Sequence, residues 1–183
     1  MGKNNRAFKR QLKKEKQREK DLKNQNKKKM TKYRDLGKDK VIVAVYGYLR
    51  NKMANHKELG DNPIFLGNYY TLPEYTLFEK DGFPFLIPEG STSVLIEVYE
   101  IEMNDFQNLE WFNNLEGNTI DTTNNMTLYV DKLINTPYGE AVIFFADENN
   151  TDLKKANHVV NGDWLDYSNT KMFTNTLFNM LKI

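Results

Sequence analysis

The chain has 183 residues, with 26 Lys and Arg against 25 Asp and Glu and a formal net charge of +1, a length that suits one domain of ordinary size plus an appendage. It has no cysteine, which excludes a disulfide framework, a Cys-ligated metal and a cysteine nucleophile. No apolar run approaches the ~20 residues that span a bilayer, and the basic N-terminus lacks the apolar stretch of a secretory signal, so a cytoplasmic protein is expected.

The near-zero net charge hides a division. Residues 1–40 carry 17 Lys/Arg and 5 Asp/Glu, a balance of +12, while residues 41–183 carry 9 and 20, a balance of −11. The reading is therefore a basic N-terminal arm over 1–40 and one domain over 41–183. In the arm the large apolar side chains are few: Phe8, Leu12, Leu22, Met30, Tyr33 and Leu36. They offer too little surface to offset the ordering cost of ~1–2 kcal/mol per residue. From Arg6 to about Lys29 the arm is rich in helix formers, and Glu15 with Arg18 and Glu19 with Lys23 stand at helical spacing. A helical or disordered, solvated arm is expected. Its charge suits contact with nucleic acid or another polyanion; a solubilising tail and docking onto an acidic partner, the acidic domain included, are the other readings.

In the domain, Val41–Val45 reads as a buried strand ending in the Tyr46-Gly47 turn. Pro63 to Phe78 reads as one or two short strands. Phe83–Pro88, with two prolines, reads as an edge strand or ordered loop, structural or lining a pocket. Glu89-Gly90-Ser91 is expected to turn the chain into a strong strand, Val94–Ile101. Asn104-Asp105 opens a helix whose Phe106, Leu109, Phe112 and Leu115 form an inward stripe, stopping at Gly117. Met126, Leu128 and Val130 alternate on the next strand, and Ala141–Phe145 follows a Pro137-Tyr138-Gly139 turn. Thr170–Ile183 places Phe173, Leu177, Met180 and Leu181 on one helical face that would cap the domain. Strands, a central helix and a hairpin make an α+β fold with a barrel-like sheet. Glu97 is read either as solvent-facing or as a pocket acceptor. His56 and His158 have no ligand-like spacing, so neither a metal nor a cofactor is expected.

Three landmarks together resemble the gamma-glutamylcyclotransferase-like family. Val45-Tyr46-Gly47-Tyr48-Leu49-Arg50 is similar to the family's Tyr-Gly-(Ser/Thr)-Leu loop, with Asn55-His56 downstream. Leu95–Ile101 is similar to the strand before the central helix. Phe112-Asn113-Asn114-Leu115-Glu116-Gly117 falls where the family has Leu-Asp-x-aromatic-Glu-Gly, and Gly162-Asp163-Trp164 matches a further short motif. The resemblance implies a mixed β-barrel with a central helix packed on it. It also implies an activity that cyclises a gamma-glutamyl amine or peptide to 5-oxoproline and releases the amine. It puts the general acid/base on Glu116 and glutamyl binding on Tyr46, Gly47, Tyr48 and Leu49. A carboxylate at a helix C-terminus faces the negative end of the helix dipole, which favours its protonated form and suits an acid/base. Gly47 is expected to let backbone approach the ligand. The sequence departs from the family at Tyr48, a bulky group in place of Ser/Thr and read mainly as a core wall, and at Thr122 and Asn124, where the family has Tyr and Arg. The second functional reading is therefore a non-catalytic binding module of the same fold, tethered to a polyanion by the arm.

Overall fold

The computed structural model describes the backbone of residues 39–116 and 128–181, and the side chains of 39–109 and 128–176. The chain divides into two units, Met1–Asp39 and Lys40–Ile183, and every element below belongs to the second. The expected arm helix, the stop at Gly117, and Thr122, Asn124 and Met126 lie outside the described residues.

The elements run β1 (Lys40–Val45), a 3₁₀ helix (His56–Leu59), β2 (Ile64–Tyr70), β3 (Tyr75–Lys80), β4 (Phe83–Thr92), β5 (Leu95–Glu102), α1 (Met103–Glu116), β6 (Tyr129–Thr136), β7 (Gly139–Ala146), β8 (Asn157–His158) and α2 (Trp164–Leu181). Five strands form one sheet in the order β2-β5-β1-β7-β6, and three form a second in the order β4-β3-β8. β1 lies in the middle of the larger sheet, antiparallel to β5 and parallel to β7. Its apolar run follows from that place, since Val43, Ala44 and Val45 are all buried.

β6 and β7 form a hairpin closed by Pro137-Tyr138 between the paired Thr136 and Gly139. Tyr138 reaches from this turn to the opposite edge strand: its hydroxyl donates to the Asn68 carbonyl at 3.4 Å and occupies the space where Gly67 lacks a side chain. The larger sheet is thus curled toward its own far edge, barrel-like, with no ladder between β2 and β6 among the described residues.

The Pro63–Phe78 region yields two strands in different sheets. Between them Thr71 is tied to Val94: its amide donates to the Val94 carbonyl at 3.0 Å, and its hydroxyl accepts from the Val94 amide at 2.9 Å. β3 and β4 are joined by Asp81-Gly82, both at positive φ (52° and 87°), the twist that suits a tight hairpin. Glu89-Gly90-Ser91, expected to be a turn, belongs to β4. Pairing jumps from Thr76–Ile87 to Tyr75–Thr92, so Pro88–Ser91 bulges out while the Thr76 hydroxyl donates to the Glu89 carbonyl at 2.7 Å.

One core draws on both sheets: Ala44, Val98 and Ile143 from the larger, Leu77 and Leu86 from the smaller, and Trp164 from α2. α1 packs on β1, β5 and the 3₁₀ helix. Its Phe106 and Leu109 are fully buried, as the stripe predicts, and each such burial is worth ~1.5–3 kcal/mol. α2 begins six residues before the expected Thr170. Asp163 caps it, accepting from the Leu165 amide at 3.0 Å, and Trp164 and Tyr167 stack at 5.7 Å where it docks. Phe173, expected to face inward, is 66% exposed, so the helix docks by its first turn instead.

Candidate functional site

The turn after β1 lines a cavity of about 50 Å³: Tyr46, Gly47, Tyr48 and Leu49 face it together with Asn55, Phe83, Pro84, Tyr129 and Phe144. The turn is closed on itself, since the carbonyls of Gly47, Tyr48 and Leu49 accept from the Arg50 amide (3.1 Å), the Asn55 amide (3.1 Å) and His56 Nδ1 (2.9 Å). All four residues expected to bind the glutamyl group therefore line one space.

Their side chains do work inside the fold. The Tyr46 hydroxyl donates to the Phe144 carbonyl at 2.7 Å, and burial pushes this phenol well above its ordinary range, so it stays neutral. On the side where a side chain would stand, Gly47 is packed by Pro84, whose Cγ would lie 2.5 Å from a Cβ added there. The Tyr48 hydroxyl donates to the Gly82 carbonyl at 2.7 Å. Its ring stands edge-on to Trp164 at 5.5 Å and to Phe83 at 6.4 Å. Tyr48 is a wall tied to the β3–β4 hairpin. Glu116 is the last residue of α1, and its side chain lies outside the described residues.

The turn is held from behind by a buried ion network. Arg50, only 4% exposed, donates through Nε to Glu97 Oε1 at 3.1 Å and through Nη1 to Asp163 Oδ1 at 2.6 Å. Glu97 Oε2 accepts from the Asn51 amide at 2.7 Å and from the Tyr99 hydroxyl at 2.8 Å. Burial, and then the bond to Glu97, raise Tyr99 well above the usual phenol range. Glu97 is thus neither solvent-facing nor a pocket acceptor; it is the buried anchor of the turn. Asp163 joins this clamp to α2, because the same oxygen that binds Arg50 caps the helix.

A second buried carboxylate sits in β3. Glu79 accepts from the Gly82 amide (2.8 Å), Asn157 Nδ2 (2.7 Å), the Tyr167 hydroxyl (3.2 Å) and Lys171 Nζ (2.7 Å). Burial alone would raise its proton affinity, but the bonds from Lys171, Asn157 and Gly82 outweigh it and hold the group at about 2. Beside it lies a larger cavity of about 450 Å³ that shares Tyr48 with the first. Sequence reasoning missed Arg50, Asp163, Glu79 and Lys171 as a set. The available signal was a charge within an otherwise apolar strand, as at Glu97 between Ile96 and Val98, which demands a partner. Among the described residues no group of three or more His, Asp or Glu could hold a metal ion, and no helix is long and apolar enough to cross a membrane.

A curled mixed sheet, a helix on its face and a turn-lined cavity beside the first strand define a cyclotransferase-like domain. Residues 43–166 match the model of the family described as gamma-glutamyl cyclotransferase, AIG2-like, and the chain belongs to that family. A Vibrio cholerae protein provisionally named a gamma-glutamylcyclotransferase is 32% identical over 123 residues, spanning 67% of this chain and 94% of its own. The solution structure of YtfP from Escherichia coli is 27% identical and superimposes with a TM-score of 0.53, covering 69% of this chain and 98% of that one. The crystal structure of the uncharacterised Pyrococcus horikoshii protein PH0828 shares the fold, with a TM-score of 0.55 at 24% identity over 73% of this chain and 97% of its own. The matched segment contains Arg50, Glu97 and Asp163, so the whole clamp lies within the family domain.

Proposed function

We propose that this protein cyclises the gamma-glutamyl group of a small amine or peptide conjugate to 5-oxoproline. The α-amine nitrogen attacks the γ-carbonyl carbon, a proton passes from that nitrogen to the Glu116 carboxylate, and the oxyanion collapses. Glu116 then returns the proton to the departing amine as the γ-amide C–N bond breaks. Neither a protein nucleophile nor a cofactor enters this sequence of steps.

The observation that carries the reading is the Tyr46–Leu49 turn, fixed by the buried Arg50 clamp and lining a cavity with Phe83 and Pro84. With the carbonyls of Gly47, Tyr48 and Leu49 taken up inside the loop, the amides of Gly47 and Leu49 are what the turn has to offer a carboxylate or developing oxyanion. Family membership supports a gamma-glutamyl small-molecule substrate. The position of Glu116 at the C-terminal end of α1 supports an acid/base there, because the helix dipole favours its protonated form. The test is incubation of the purified full chain with a panel of gamma-glutamyl amines, amino acids and peptides, with 5-oxoproline as the readout. Product is expected from at least one class of conjugate. No 5-oxoproline from any of them would overturn the reading.

A further inference from the structure

A cavity of about 450 Å³ lies between the β3–β4 hairpin and α2, apart from the Tyr46–Leu49 turn but for Tyr48, which lines both. Its volume falls in the ~300–1,000 Å³ range of small-molecule sites. Rings and thioethers (Tyr48, Trp164, Tyr167, Met53 and Met172) line it together with polar and charged side chains. Trp164 and Tyr167 stack, with Tyr48 edge-on to the indole. Trp164 is buried, and Tyr48 and Tyr167, both half-buried, are the rings that a flat apolar ligand would meet.

The charges decide the rest. Among the described residues Glu79 is the one carboxylate lining this cavity, and its two oxygens already accept from Gly82, Asn157, Tyr167 and Lys171. A carboxylate has about four acceptor sites, so these donors use it up. A cationic ligand would meet no open acceptor on it. The cations are less committed. Lys171 is 44% exposed and spends one N–H on Glu79. Lys52 also lines the cavity, is exposed, and makes no ion pair or side-chain hydrogen bond among the described residues. We propose that this groove is a binding site for a small aromatic carboxylate, its ring against the half-buried Tyr48 and Tyr167, with Trp164 buried behind them, and its charge toward Lys52 and Lys171. The site needs no acid/base and stands independently of the cyclisation reading.

Trp164 supplies the reporter. Its Nε1 is the buried side-chain donor without an acceptor among the described residues, so its resonance answers to whatever ring or charge enters the groove. The experiment is a titration of the ¹⁵N-labelled full chain with phenylacetate, phenylacetamide and benzylamine up to ~10 mM, enough to saturate a millimolar site. Trp111→Phe leaves one indole signal; in the unmodified chain both indole signals are followed, so nothing depends on that variant folding. Phenylacetate should shift the Trp164 indole saturably and bind at least ~10-fold more tightly than benzylamine, as an ion pair gained against none would give. Lys52 has φ of 68°, a conformation Asn tolerates, so Lys52→Asn removes the charge with little strain. It should weaken phenylacetate severalfold and leave phenylacetamide unchanged. Absence of a saturable shift with phenylacetate, equal affinity for benzylamine, or indifference to Lys52→Asn would each overturn the proposal.

Discussion

Two strand glutamates, Glu97 in β5 and Glu79 in β3, are both buried and both paired, yet the pairs differ in kind. Glu97 meets an arginine that is itself buried and that also holds the partly exposed Asp163, so the Arg50–Glu97 pair lies out of water. Glu79 meets a lysine that is 44% exposed, and three neutral donors complete its shell. The first arrangement fixes the relation of three segments, the turn at Arg50, β5 and the start of α2. The second ties α2 to the β3–β4 hairpin through the Tyr167 hydroxyl and one ion pair whose lysine is partly exposed. A fork-shaped guanidinium suits the first place and a flexible ammonium the second.

The largest effect should come from breaking the clamp. Arg50→Ala leaves Glu97 and Asp163 without their cation, and removing one partner of a buried pair typically costs about 3–5 kcal/mol. Thermal or urea unfolding should show a loss of that order, and Arg50→Lys should recover only part of it because a point charge cannot serve both carboxylates. A loss below ~1 kcal/mol, the range of a surface pair, would mean that the network is not a clamp.

Next comes the pH dependence of Glu79. Its folded value of about 2 lies below the ordinary 4.5, so the unfolded chain binds the proton more readily. The stability this group contributes is complete above the ordinary value and is lost as pH falls toward about 2. Glu79→Gln should flatten the fall in unfolding free energy across that window while leaving the curve near neutrality parallel to wild type. An unchanged acid limb would remove Glu79 from the account. The smallest effect belongs to Lys171→Met. The lysine is half out in solvent and Gly82, Asn157 and Tyr167 still serve Glu79, so about 1 kcal/mol is expected, much of it vanishing in ~1 M salt, where charges are screened within ~3 Å.

The difference between the two networks also marks what a sequence can disclose. The apolar run of β1, the Pro137-Tyr138 hairpin and the Phe106/Leu109 face of α1 were legible because each is a local pattern. So was the grouping of Tyr46–Leu49 around one cavity, through its resemblance to a known loop. The role of Glu97 was not, because Arg50 lies 47 residues before it and Asp163 lies 113 residues after Arg50. No periodicity encodes a pairing over such distances. Glu79 and Lys171 were hidden for the same reason. β4 was read too short because its bulge is made of turn residues, Glu89-Gly90-Ser91, that a strand absorbs only when a partner such as Thr76 takes up the freed carbonyl. α2 was read too late because its docking residues, Trp164 and Tyr167, precede the stripe that periodicity picks out, and Phe173 on that stripe faces solvent.

The proposed cyclisation assigns its proton transfers to Glu116, at the end of α1. The most direct measurement compares 5-oxoproline release by wild-type and Glu116→Gln protein from one gamma-glutamyl substrate, at a temperature where both are folded. Loss of a positioned acid/base should lower the rate by ~10²–10⁴-fold with an unchanged melting temperature. Equal rates from the two proteins would contradict the account.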